Sequence, residues 1–300
     1  MTEPEALLWV MHTALGEERA LPDATAWTSS LPALASSRLS ALARHLLGSR
    51  ADSLPIEARH HLEAATLEAE CVSARASRQL EALSPHLEAT GLPWVVLKSW
   101  PLAARLYPTP SCRPSSDLDL LVAFQHHASF ARALSLHGYH PENSDNGFHT
   151  RYLGPRSDWG RDVVELHREA GPPEFGGPGV AEVLASRRRF SGECGAVWVP
   201  SIALERDLLI RHYLRHGGNQ AILLLDLLLH LRGEGLTHPL GALVGNDLAR
   251  LGFERQVNGP RPWRQQMLAR WMASRDFETR RAARVISPAG LPLALARSHR

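Results

Sequence analysis

The chain has almost no lysine. Of its 33 basic residues only Lys98 is a lysine, and every other one is an arginine. A GC-rich coding bias accounts for the arginines. Chance is the plain explanation for Lys98; the chemical one is that a compact ammonium suits the position and a planar guanidinium does not. Cysteine is scarce too. Cys71, Cys112 and Cys194 are odd in number and share no metal-ligand spacing, which argues against a disulfide framework or a cysteine zinc site. Aromatic residues make up 6%, so packing rests on Leu, Ala and Val. No apolar run spans a bilayer: the longest, AILLLDLLLHL, is too short and contains Asp226. The N-terminal stretch MTEPEALLWVMHTALGEE is acidic and lacks an export pattern. A cytoplasmic protein with no membrane partner is expected. A net charge of +2 argues by itself for neither a nucleic-acid nor a membrane partner.

What is present is globular: 44% apolar and 21% charged residues. Residues 1–70 hold ten acids against five arginines, and residues 254–300 ten arginines against three acids. Such ends are solvated helical faces, or a charged tail that docks an acidic protein partner or nucleic acid. The arginine-rich end carries no interleaved aromatics, which leaves single-stranded nucleic-acid binding unsupported.

Residues 1–90 read as helix. One helix is expected through LPALASSRLSALARHLLGS with a stop at Gly48, and another through 56–90, interrupted by Pro85 and closed by Gly91. Residues 91–200 change idiom. Strands are expected at 94–98, 117–124, 148–153, 161–167 and 196–200, with a helix through HASFARALSLHG and a loop at GPPEFGGPG, residues 171–179. From 201 to 300 the helical idiom returns. The expected class is α+β: a small mixed β-sheet core at 91–200 between an N-terminal helical region, 1–90, and a C-terminal one, 201–300.

The chemistry lies in VVLKSWPLAARLYPTPSCRPSSDLDLLV, residues 95–122. In a strand Asp117 and Asp119 share one face, about 7 Å apart at Cα, while Leu118, Leu120 and Val122 take the other. Two such carboxylates repel, and a hard divalent cation such as Mg²⁺ relieves them; an exposed polar edge is the plain alternative. The acids begin the strand after a loop, which fits poorly with phosphatases and glycosyltransferases that place Asp-x-Asp at the end of an apolar strand. Upstream, VVLK–SW–PLAARLY reads as strand, turn and helix, with Ser99 at the N-cap and Pro101 in the first turn. Free N–H groups there, with Lys98 beside them, suit a triphosphate. In RDVVELH, Glu165 shares a face with Val163 and His167, and Asp162 lies on the other. Glu165 is the expected third carboxylate. His167 is expected to bond a substrate oxygen, a phosphate or a carboxylate, or else to be a half-buried structural histidine. His212 and His216, four apart on a helix, lack the glutamate of a metalloprotease helix. Asp226 needs a donor if buried, with Arg211 and Arg215 the first candidates.

Together these segments resemble the uncharacterised nucleotidyltransferase-like family of the DNA polymerase β-type nucleotidyltransferase superfamily. The resemblance rests on Leu97–Lys98, Leu106–Tyr107, Arg113, Asp117, Asp119 to Val122, Gly138–Tyr139 and Glu165 to His167, and covers roughly residues 90–230. Ser99 departs from it, because the family has glycine after the lysine. The resemblance implies a nucleotidyltransferase core that transfers an NMP group from an NTP, ATP by expectation, to a small-molecule, protein or RNA acceptor. Two Mg²⁺ ions are expected on Asp117, Asp119 and Glu165, with Lys98, Ser99, Arg113 and His167 binding the nucleotide. The alternatives are a weakened descendant that binds nucleotide or a protein partner, and a phosphoester hydrolase on the same metal site.

Overall fold

A computed structural model describes residues 5–142, 148–157, 160–170, 178–215 and 220–233. Most of the expected loop at 171–179, His216, the helices expected beyond 233 and the arginine-rich end lie outside the described residues.

Leucine and alanine at helical spacing build α1 (Glu5–Ala14), α2 (Ala24–Ser36), α3 (Ser40–Leu47) and α4 (Ile56–Ala89). Asp23 caps α2 by accepting the Ala26 N–H at 2.8 Å. The single helix expected to end at Gly48 is in fact two. The Ser36 hydroxyl donates to the Ala33 carbonyl at 3.1 Å, competing with the helical ladder, and Arg38 turns left-handed at φ 57°. Gly48 ends α3 with φ 55°. Pro85 does not interrupt α4. It removes one backbone bond near the end of a 34-residue helix, but Leu80, Leu83 and Leu87 around it are buried in the core, and that packing outweighs the loss. Gly91, at φ 67°, closes the helix turn.

Next come β1 (Trp94–Val96), α5 (Trp100–Leu106), β2 (Leu118–Val122), α6 (His127–Leu136), β3 (His140–Pro141), β4 (His149–Ser157), β5 (Gly160–His167), α7 (Val180–Ala185), β6 (Arg188–Gly192) and β7 (Gly195–Val199). The first five strands form one mixed sheet, in the order β1-β2-β5-β4-β3, while β6 and β7 pair separately. Only β2 and β5 run parallel; the other neighbours in the large sheet are antiparallel. The class is α+β. One face of the sheet carries Trp94, Val96, Leu118, Leu120, Val122, Val164 and Leu166. These pack with Leu80, Leu83 and Leu87 of α4, Phe130 and Leu134 of α6, and Val197 and Val199 of β7. Helix α6 ends in Gly138 at φ 79°, where the Tyr139 N–H donates to the Leu134 carbonyl at 3.1 Å. That turn buries Tyr139 against Gly154, whose backbone leaves no room for a Cβ.

The chain divides into two compact units, the first closing at Ser201. The second contains α8 (Ile202–Arg215) and α9 (Ala221–Gly233). Glu205 and His230 join these two helices through a buried 3.2 Å contact, and Asp226 is fully buried on α9. Among the described residues no helix is long and apolar enough to cross a membrane.

Candidate functional site

Strand alternation sends Leu118, Leu120, Val164 and Leu166 into the core, so the intervening residues face the other way. The parallel register of β2 and β5 sets Asp119 beside Glu165 and Leu121 beside His167. Asp117 precedes β2 by one residue. Its carboxyl is held above the ordinary range first by burial, then by the charge of Asp119, with Glu165 adding to the repulsion and Lys98 easing it. The three carboxylates expected from the sequence therefore share one electrostatic neighbourhood.

Asp119 is fully buried and closely attended. His167 Nε2 lies 2.9 Å and Lys98 Nζ 3.3 Å from its Oδ1, and the Ser99 hydroxyl donates to Oδ2 at 3.2 Å. Burial disfavours the His167 imidazolium, but hydrogen bonds to Asp119 and Glu165 outweigh it and raise the pKa above 6.5. Burial pushes Glu165 up, and the His167 hydrogen bond with the neighbouring histidines more than reverses this, so its carboxyl ends below the ordinary value. The single lysine of the chain thus touches the most buried acid of the cluster.

Ser99 occupies the N-cap position of α5 without making a side-chain capping bond. Its hydroxyl instead staples the turn to the start of β2. It donates toward the Asp117 carbonyl at 2.8 Å and Asp119 Oδ2, and accepts the Asp119 N–H at 3.4 Å. The backbone there has φ 66° and ψ −144°, a region that glycine adopts freely and other residues only under strain. The glycine that the resemblance expects at this position has a conformational reason.

Arg113 is buried in the loop leading to β2, just after the 3-10 turn Pro110–Cys112. Asp162, on the opposite face of β5 from Glu165, accepts the Tyr139 hydroxyl at 3.4 Å and lies under the charges of Arg75 and Arg78.

The structure adds one residue to the cluster, His149 on β4. It pairs with His167 in the β4–β5 register, the two rings 4.8 Å apart, and its Nε2 lies 3.7 Å from Glu165 Oε1. His149, Glu165 and His167 form the trio whose ligand atoms close to within 4.8 Å of one another. Counting register back from the hairpin tip, where Ser157 pairs with Gly160, would set His149 opposite Arg168. An irregularity between Leu153 and Arg156 inserts one extra residue on β4 and moves His149 opposite His167. Gly154 and Pro155, side by side in a strand-like run, are the sequence signal for that bulge.

The site thus joins carboxylates on two neighbouring strands of an α+β core to a strand–turn–helix with a lysine at the turn. The chain belongs to the uncharacterised nucleotidyltransferase family, whose sequence profile matches residues 23–259. That span is wider than the 90–230 suggested by the motifs and takes in most of the N-terminal helices. No curated protein matches the chain.

Proposed function

We propose that the chain transfers a nucleoside monophosphate from an NTP, ATP by expectation, to a hydroxyl-bearing acceptor, releasing pyrophosphate. The observation that carries this reading is the side-by-side placement of Asp119 and Glu165 on β2 and β5 with Asp117 within their field. A half-buried carboxyl whose ionisation two others oppose fits a divalent cation, and an all-oxygen donor set suits Mg²⁺. Asp117, Asp119 and Glu165 would hold two such ions, which when bound clamp the triphosphate and acidify the attacking hydroxyl. Glu165 would share the ion on the acceptor side, where it stands next to the hydroxyl that must lose its proton. Lys98 neutralises charge on the departing pyrophosphate. His167 holds Asp119 in place through its Nε2. Ser99 binds through its backbone turn, because its hydroxyl is engaged by β2. Arg113, in the loop before β2, would be a second clamp on the phosphates.

The test is pyrophosphate release from ATP and Mg²⁺ across a panel of small-molecule, RNA and protein acceptors. Asp119→Ala is expected to abolish it. Turnover retained in that variant rejects the assignment.

A second reading is favoured by the same site: a nucleotide-binding descendant with reduced chemistry. Asp119 is already engaged by Lys98, His167 and the Ser99 hydroxyl, and Ser99 strains the turn. Metal-dependent nucleotide binding without product in any acceptor screen would select this reading. Orthophosphate or NMP formed from ATP alone would select hydrolysis.

A further inference from the structure

The carboxylates account for the Asp117–Asp119 side of the cluster but not for two imidazoles converging on Glu165. We infer that His149, Glu165 and His167 form a seat for a borderline transition-metal ion of the Zn²⁺ or Co²⁺ kind, distinct in chemistry from the carboxylate seat beside it. The inference deepens the reading above, on which it rests for the neighbouring seat, and concerns which ion Glu165 shares.

Three observations carry it. The first is donor type. Imidazole nitrogen with one carboxylate suits Zn²⁺, Co²⁺ or Ni²⁺, whereas Mg²⁺ selects oxygen. The second is geometry. Metal–ligand bonds of about 2.1 Å at a tetrahedral angle bring ligand atoms to about 3.4 Å of one another. His167 Nε2 lies 3.5 Å from Glu165 Oε2 and His149 Nε2 3.7 Å from the other oxygen, Oε1, so each imidazole meets its own carboxylate oxygen; with one ligand atom from each residue the three lie within 4.8 Å of one another. The third is support. The three side chains stand on two paired strands, with His149 opposite His167, and are 12%, 18% and 10% exposed. Ligands on strands are held more firmly than ligands on loops, and partial exposure leaves an ion a path in. The bulge between Leu153 and Arg156 is what aims His149 into the cluster, and bulges recur where a strand re-aims a side chain. Asp119, at 2.9 Å from His167 Nε2, lies at the boundary between the two seats. A bound ion takes the place of the protons that otherwise link these groups.

The experiment uses the full chain without a polyhistidine tag, stripped of metal and titrated with Co²⁺. Visible d–d absorption and calorimetry report binding, and Zn²⁺ serves as competitor. Wild type is expected to bind one Co²⁺ that Zn²⁺ displaces and that a hundredfold excess of Mg²⁺ leaves in place. His149→Ala is expected to weaken Co²⁺ at least tenfold. His149→Gln, which keeps the size and polarity of the position, should weaken it similarly with unchanged thermal unfolding of the metal-free chain. Asp117→Asn should retain the Co²⁺ spectrum. Absence of Co²⁺ binding in wild type overturns the inference, as does an unchanged affinity in the folded His149→Gln chain. Loss of the spectrum in Asp117→Asn with retention in His149→Gln overturns it too, by putting the ion on the carboxylates. Co²⁺ bound as described in a chain that never releases pyrophosphate would defeat the transfer reading alone. Pyrophosphate release without a His149-dependent ion would defeat this inference alone.

Discussion

Ser99 offers the sharpest separation of effects. It combines a strained backbone, φ 66° and ψ −144°, with a hydroxyl that bridges the turn to Asp119 and to the Asp117 carbonyl. Ser99→Ala keeps the strain, since any Cβ suffers it, and deletes the hydroxyl. Losing a buried bond to a carboxylate, with its second acceptor, costs about 2–3 kcal/mol. Ser99→Gly deletes the same hydroxyl but relieves strain of about 1–3 kcal/mol. Glycine returns about 0.5–1 kcal/mol of that through the greater freedom of its unfolded chain. The glycine variant should therefore be more stable than the alanine variant by about 1 kcal/mol, with both below wild type. In urea, at roughly 1–3 kcal/mol per molar, the two unfolding midpoints should differ by roughly 0.3–1 M in the metal-free chain. A glycine variant no more stable than the alanine variant would refute the strain argument. A glycine variant above wild type would refute the claim that the hydroxyl offsets the strain.

Three other outcomes follow from the same geometry. Lys98→Arg should cost about 1–3 kcal/mol of stability and so lower the thermal midpoint, because a larger planar guanidinium replaces an ammonium 3.3 Å from buried Asp119; a midpoint equal to wild type would return the single lysine to chance. Gly154→Ala sets a Cβ against the Tyr139 ring, closer than atoms can approach, and should cost about 1–3 kcal/mol, and Tyr139→Leu in the same chain should restore part of that loss in a double-mutant cycle. His167 has its pKa raised above 6.5, so the stability it contributes is complete below pH 6.5 and declines as pH rises through the raised value. Glu165, with a lowered pKa, contributes in the opposite sense, losing its share only as pH falls below about 4.5. Urea midpoints of the metal-free chain should therefore fall as pH rises above 6.5, and His167→Gln should flatten that slope; the same slope in both chains would sink the assignment.

Much of the site could be read from residue order because strand alternation has a period of two. Once 117–124 and 161–167 are taken as strands, Asp119 and Glu165 must face away from Leu118, Leu120, Val164 and Leu166, whichever way the sheet is assembled. The apolar, β-branched runs around Val95, Leu121 and Val164 are buried, and such runs announce themselves by composition. What was not legible depends on contacts between distant segments. Pro85 is tolerated because the leucines flanking it meet the sheet, a fact absent from local sequence. The break at Arg38 and the short elements β3, β6 and α7 have too few residues for periodicity to register. His149 was hidden by one inserted residue, since a one-residue slip exchanges the faces of a strand. The bonds of the Ser99 hydroxyl are not legible locally for a related reason. Its partners, Asp117 and Asp119, lie 18 and 20 residues away along the chain.

In the proposed function Asp119, seated beside Glu165, gathers cation and nucleotide at one place. Calorimetric titration of ATP into the full chain, with and without Mg²⁺, compares wild type with Asp119→Asn, a change that keeps the side chain's shape and removes its charge. Wild type should bind ATP only when Mg²⁺ is present, and Asp119→Asn should lose that binding while remaining folded by circular dichroism. Binding that ignores Mg²⁺, or that survives the substitution unchanged, would contradict the account.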